Sequence, residues 1–110
     1  MLETILQPDD ENERCGFLLK DGTIVEITNV ATEPRVSYEM DAAEALPYIE
    51  AGTVAATWHT HPDGDANLSG DDYEGFLRWP DLDHYVIGRA GDDVIVRWFH
   101  VDDGLVIACD

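Results

Sequence analysis

The sequence predicts a single α/β unit, and three observations carry that prediction. Five short runs rich in apolar and β-branched residues, at 14–20, 23–30, 53–61, 84–89 and 94–101, have the length and alternation of strands. Two helix starts, at Asp41 and Ser69, stand between such runs instead of a continuous series of hairpins. The 110 residues, 45% hydrophobic and 27% charged, suffice for one core and contain no repeat, low-complexity tract or dividing linker. Residues 1–110 are therefore expected to form one domain.

Taken in order, Met1 to Gln7 is a short apolar stretch that predicts a helical turn, ended by the polar segment Pro8 to Asn12. The strand over 14–20 turns at Asp21-Gly22, a hairpin signal, into 23–30, where Ile24, Glu26 and Thr28 alternate with Val25 and Ile27. A loop containing Pro34 leads through 36–40 to Asp41-Ala42-Ala43-Glu44, which has the form of a capping box; Pro47 is expected to kink or shorten the helix. After Gly52 the run 53–61 reads as a strand with two unlike faces: Val54, Ala56 and Trp58 on one, Ala55, Thr57, His59 and His61 on the other. Ser69 caps a helix expected to reach about Trp79, where Pro80 stops it. Strands at 84–89 and 94–101 flank a turn at Gly91-Asp92-Asp93, and 104–108 adds an edge strand.

The charge is the unusual quantity. There are 24 acidic and 6 basic residues, net −18, with Lys20 the only lysine and Arg14, Arg35, Arg78, Arg89 and Arg97 scattered singly. Nucleic acid and anionic membrane are excluded as partners, because a phosphate-binding surface needs clustered cations. No apolar run approaches the roughly 20 residues that cross a bilayer, and the N-terminus lacks a signal-like block, so the expected location is cytoplasmic. An Asp-rich, lysine-poor surface also fits a high-salt environment, where self-repulsion is screened. Two cysteines are too few for a disulfide framework, and Cys15, in an apolar run, reads as a buried free thiol.

His59 and His61 stand two apart on a strand, so both imidazoles leave the same face and can reach one cation. On the helix after Ser69, Asp72, Phe76 and Trp79 fall on one stripe, with Tyr73 and Leu77 beside it, whereas Asp71 shares its face with Glu74 and Arg78. Periodicity thus prefers Asp72 as the inward carboxylate. Two histidines and one carboxylate are a catalytic type of zinc set, with a fourth tetrahedral position left for water.

These residues carry a resemblance. His59-Thr60-His61-Pro62 followed by Ser69-Gly70-Asp71-Asp72, with ten residues between His61 and Asp72, resembles the JAMM (MPN+) metalloprotease signature. Glu13-Arg14-Cys15-Gly16-Phe17-Leu18-Leu19 is similar to the Glu-x-Cys-Gly start of bacterial and phage-type members, and Asn29, Pro34 and Asp41 look like the same subgroup. The resemblance implies a cytidine-deaminase-like MPN/JAMM fold, a curved mixed β-sheet flanked by helices. It implies a Zn2+-dependent amide hydrolase, with His59, His61 and Asp72 as metal ligands, Glu13 as general base and Ser69 as a donor to the oxyanion. Glu11 is the competing glutamate; it lies in the more polar turn, and Glu13 alone has the family's spacing to Cys15-Gly16. The implied partner is a protein or peptide substrate, of two classes: a ubiquitin-like or sulfur-carrier protein, or phage tail proteins, which would place the chain in a virion tail.

Each residue also has a plainer reading. A His-x-His pair can be hydrogen-bonded strand residues, Ser69 a simple cap and Asp72 the third residue of a capping box. A scaffold that keeps the fold without turnover is the alternative class, disfavoured because every expected group is present. His84 and His100, without ligand spacing, read as packed or surface histidines, and Trp58, Trp79 and Trp98 as core or edge anchors. Asp63-Gly64-Asp65 lacks the further ligands of a calcium loop and reads as a solvated rim.

Overall fold

The computed structural model describes residues 2–109. The N-terminal turn is a 3-10 helix over Leu2–Thr4; Met1 lies outside the described residues. Then come β1 (Cys15–Leu19), β2 (Ile24–Ile27), α1 (Ala42–Ala51), β3 (Val54–Thr60), α2 (Gly70–Leu77), β4 (Asp83–Ala90), β5 (Asp93–Asp102) and β6 (Leu105–Cys109). The strands form one sheet in the order β2-β1-β3-β4-β5-β6, parallel between β3 and β4 and antiparallel elsewhere. The parallel pair needs a crossover, and α2 supplies it. No helix among the described residues is long and apolar enough to cross a membrane.

Both helices pack on one face of the sheet. Ala45, Tyr48 and Ile49 of α1 meet Phe17, Ile27 and Val54, while Phe76 of α2 meets Val86, Phe99 and Ala66. The opposite face is covered by the N-terminal segment, where Leu2 and Leu6 pack on Trp58 and Ile87.

Glycine sets the register that matters most. A Cβ on Gly16 would lie 1.9 Å from the Val25 carbonyl oxygen and 2.7 Å from the Trp58 ring. Only a residue without a side chain admits Trp58 there, and the indole N–H then donates to the Phe17 carbonyl at 3.2 Å. Gly16 pairs with Trp58, so Cys15 pairs with His59.

Two helical expectations are corrected. Pro47 does not end α1, which continues to Ala51 and closes on Gly52 in the left-handed conformation at φ 68°. The residue whose carbonyl loses its bond, Ala43, is exposed like Pro47 itself, so water can replace that bond while Asp41 caps the first turn and the apolar face holds the rest. α2 ends at Leu77, short of Trp79. Trp79 therefore leaves the inward stripe and is 44% exposed, although its backbone N–H still bonds to Phe76. Trp58 is a core residue as expected, whereas Trp98 is 41% exposed on the outer sheet face.

Candidate metal centre

The ladder between β1 and β3 continues past its last formal pair. Thr60 donates its N–H to the Arg14 carbonyl at 2.8 Å, and the Arg14 N–H returns to the Thr60 hydroxyl at 2.8 Å. With Cys15 opposite His59, this brings Glu13 across from His61 on the face shared by both histidines. The peptide N–H of Glu13 then bonds to the Pro34 carbonyl at 2.7 Å, and its carbonyl accepts from the Asn29 amide at 2.8 Å. Glu13 is buried and Glu11 is exposed.

The acidic ligand candidate comes from the first turn of α2. Ser69 accepts the Asp72 N–H on its hydroxyl oxygen at 3.1 Å, and Asp72 Oδ2 accepts the Ser69 N–H at 2.9 Å, a reciprocal capping box. That same Oδ2 lies 3.2 Å from Nε2 of His59 and 3.2 Å from Nε2 of His61, and the two Nε2 atoms are 3.1 Å apart. The plain reading of Asp72 and the functional one are thus a single geometry, because the cap aims the carboxylate at the histidines.

This triangle fits a zinc ion. Four ligands at 2.0–2.1 Å from a tetrahedral centre are separated by about 3.3 Å, close to the edges of the triangle. His61 Nδ1 lies 2.9 Å from the Asp65 carbonyl, which can only accept, so in the neutral ring the proton sits on Nδ1 and the Nε2 lone pair faces the other two groups. His59 is fully buried; its Nδ1 has no hydrogen-bond partner among the described residues, and the Tyr38 ring stacks on it at 4.4 Å between centroids. A carboxylate oxygen of Glu13 completes a group with the two histidines in which all ligand atoms lie within 4.8 Å of one another.

The two carboxylates are tuned apart. Burial, with a smaller contribution from Asp72, pushes Glu13 up to about 7 against the pull of His61. Burial also raises Asp72, but hydrogen bonds from His59 and His61 outweigh it and hold that carboxyl well below its ordinary range. Desolvation lowers His59 in spite of Asp72. The same desolvation acts on His61, where bonding to Asp72 and Asp65 prevails and the net shift is upward. One carboxylate is therefore held as an anion and the other stands ready to exchange a proton near neutrality.

A cleft of about 550 Å³ runs from this corner between α1 and α2, past Tyr38, Ser69 and Asp72 toward Leu46, Trp79 and His84. The structure thus gathers Glu13, His59, His61 and Asp72, with Ser69 joined to them through the cap. His84 is buried apart from them, and His100 lies against the Cys109 thiol on the outer sheet face. Both cysteines are free. Sequence reasoning missed Tyr38, which sits in an irregular segment with no periodicity to mark it.

Residues 4–101 match the family of prokaryotic homologues of the JAB domain. The chain belongs to this family. It is 32% identical over 101 residues to a desampylase of Haloferax volcanii, an alignment covering 82% of this chain and 72% of that protein. The fold is matched by the solution structure of a protein from Desulfitobacterium hafniense, with a TM-score of 0.73 at 20% identity, covering 99% of this chain and 83% of that one. The mixed sheet with its helices is thus the fold expected from the His-x-His-Pro and Ser-x-x-Asp resemblance.

Proposed function

We propose that this JAB-family chain is a zinc-dependent amide hydrolase, an isopeptidase that releases a ubiquitin-like protein from its conjugates. The observation that carries this reading is the convergence of His59, His61 and Asp72 at 3.1–3.2 Å with Glu13 beside them. The relative named a desampylase supports the substrate class, a ubiquitin-like modifier.

His59, His61 and Asp72 would hold the ion, which when bound supplies a Lewis acid for a carbonyl and makes water acidic near neutrality. Glu13, raised to about 7 by burial, accepts a proton from water as its oxygen bonds to the amide carbon. It returns that proton to the nitrogen when the carbon–nitrogen bond breaks. The Ser69 oxygen accepts the Asp72 N–H, so the hydroxyl proton stays available for the carbonyl oxygen as it gains charge. The second ligand set, Glu13 with the two histidines, would remove the buried carboxyl that, among the described residues, is able to carry a proton, so Asp72 is the better third ligand.

The test is incubation of the zinc-loaded protein with an isopeptide-linked conjugate of a ubiquitin-like protein, read by electrophoresis. Release of the free modifier, abolished by chelator and restored by zinc, is expected. An intact conjugate at stoichiometric zinc would refute the assignment.

A further inference from the structure

Gly88 is a second point where the fold has no room for a side chain. A Cβ there would lie 2.3 Å from the Asp65 carbonyl carbon and 2.5 Å from both the Asp65 oxygen and the Ala66 nitrogen. The Asp65–Ala66 peptide therefore rests directly on β4, with Ala66 buried beneath it. The residues on either side of Gly88 grip the same loop. The Ile87 carbonyl accepts the His61 N–H at 2.7 Å, and the Arg89 N–H donates to the Gly64 carbonyl at 2.8 Å. The Arg89 guanidinium donates through Nε to the Pro62 carbonyl at 2.9 Å and through Nη2 to the Gln7 carbonyl.

Three successive residues of β4 thus hold the segment from His61 to Ala66 along its length. What this achieves at the site is the 2.9 Å contact between the Asp65 carbonyl and His61 Nδ1. A ring whose Nδ1 proton is engaged by a fixed acceptor presents Nε2 to a cation in one orientation, and loss of such a partner typically weakens metal binding by about 10- to 100-fold.

We propose that Gly88 and Arg89 are positioning residues for the metal centre, holding the 62–66 loop so that the Asp65 carbonyl fixes the tautomer and aim of His61. The inference rests on the reading of the site as a zinc centre. A purely structural role for the same contacts would lower thermal stability without a matching loss of zinc affinity.

The experiment compares wild type with Gly88→Ala, Arg89→Met, Arg89→Lys and Leu19→Ala. Leu19 packs in the core beneath α1, away from the loop, and serves as a control for stability loss alone. Zinc affinity is measured by competition with a chromophoric chelator, and amide hydrogen exchange of residues 62–66 is followed in the metal-free protein. Gly88→Ala and Arg89→Met should bind zinc about 10- to 100-fold more weakly and exchange faster in the loop. Arg89→Lys, which keeps one donor, should recover part of both. Leu19→Ala should lower Tm and leave zinc affinity unchanged. If Gly88→Ala does not fold, the Arg89 pair decides. Arg89→Met with wild-type zinc affinity, or with no more loss than Leu19→Ala, overturns the positioning role and leaves the zinc reading standing. A wild type that binds no zinc overturns both.

Discussion

Two histidines buried under α2 have opposite surroundings. His84 and His59 are both almost wholly hidden, at 1% and 0% exposure, each stacks on an aromatic ring, and desolvation lowers both. Around His84 every polar demand is met: Nδ1 lies 2.7 Å from the Thr57 hydroxyl, and Nε2 lies 3.1 Å from the Trp79 carbonyl. Since that carbonyl only accepts, Nε2 carries the proton and Nδ1 takes the hydroxyl hydrogen. Around His59, Nδ1 has no partner among the described residues, and Nε2 faces a second imidazole nitrogen and a carboxylate at the same time. Burial does not distinguish the two histidines; the satisfaction of their nitrogens does.

Substitutions that remove the unsatisfied corner should have the largest effect. His59→Ala and Asp72→Ala are expected to lose the ion, read as about one zinc per chain in wild type and none in the variants, whereas His84→Gln should retain it. Undiminished zinc in both site variants would break the comparison.

Next in size is Glu13→Gln, which keeps shape but removes the proton acceptor. Zinc content should be unchanged while turnover on a cleaved conjugate falls by about 10²- to 10⁴-fold. Glu11→Gln, at an exposed position, should do little. The reverse pattern would leave the site intact and move the base.

A smaller effect sharpens the account of His84. Burial pushes it down to about 4 from an ordinary 6.5, so between those values the unfolded chain binds a proton that the folded one refuses. Stability from this residue is therefore level above pH ~6.5 and falls as acid is added, reaching a deficit of at most about 3 kcal/mol below the folded value. His84→Gln should abolish that component. Denaturant titrations of both proteins between neutral pH and the onset of acid unfolding will show it as a narrowing gap; parallel curves would exclude it.

The smallest effect concerns the surface and leaves both histidines alone. With a net charge of −18, raising potassium chloride from dilute to molar should raise Tm by screening self-repulsion. An unchanged or lowered Tm would remove the high-salt reading.

Much of the architecture was legible because local rules and tertiary packing agree. The Asp21-Gly22 hairpin, both N-caps and the later strands stand where turn chemistry and alternation predict them, with bounds shifted by a residue or so, although β2 is shorter than its apolar run and Val54, expected on the Trp58 face, packs under α1 because the ladder shifts between Leu18 and Leu19. His59 and His61 share a face because side chains alternate, and Asp72 turns inward because helix period and capping both demand it. Local rules failed at two positions in the helices. Pro47 is tolerated because its lost bond falls on the wet side of α1, and Trp79 turns outward because α2 ends before it.

By itself the sequence determined which groups could form the site and on which element each is carried, since strand alternation, helix period and caps act over a few residues. Only the tertiary structure decided that Glu13 faces His61, that Tyr38 lies on His59 and that β4 grips the 62–66 loop. Those juxtapositions join residues from 21 to 48 positions apart, and they follow from the sheet register set by Trp58 on Gly16 and from backbone approaches that no local pattern encodes.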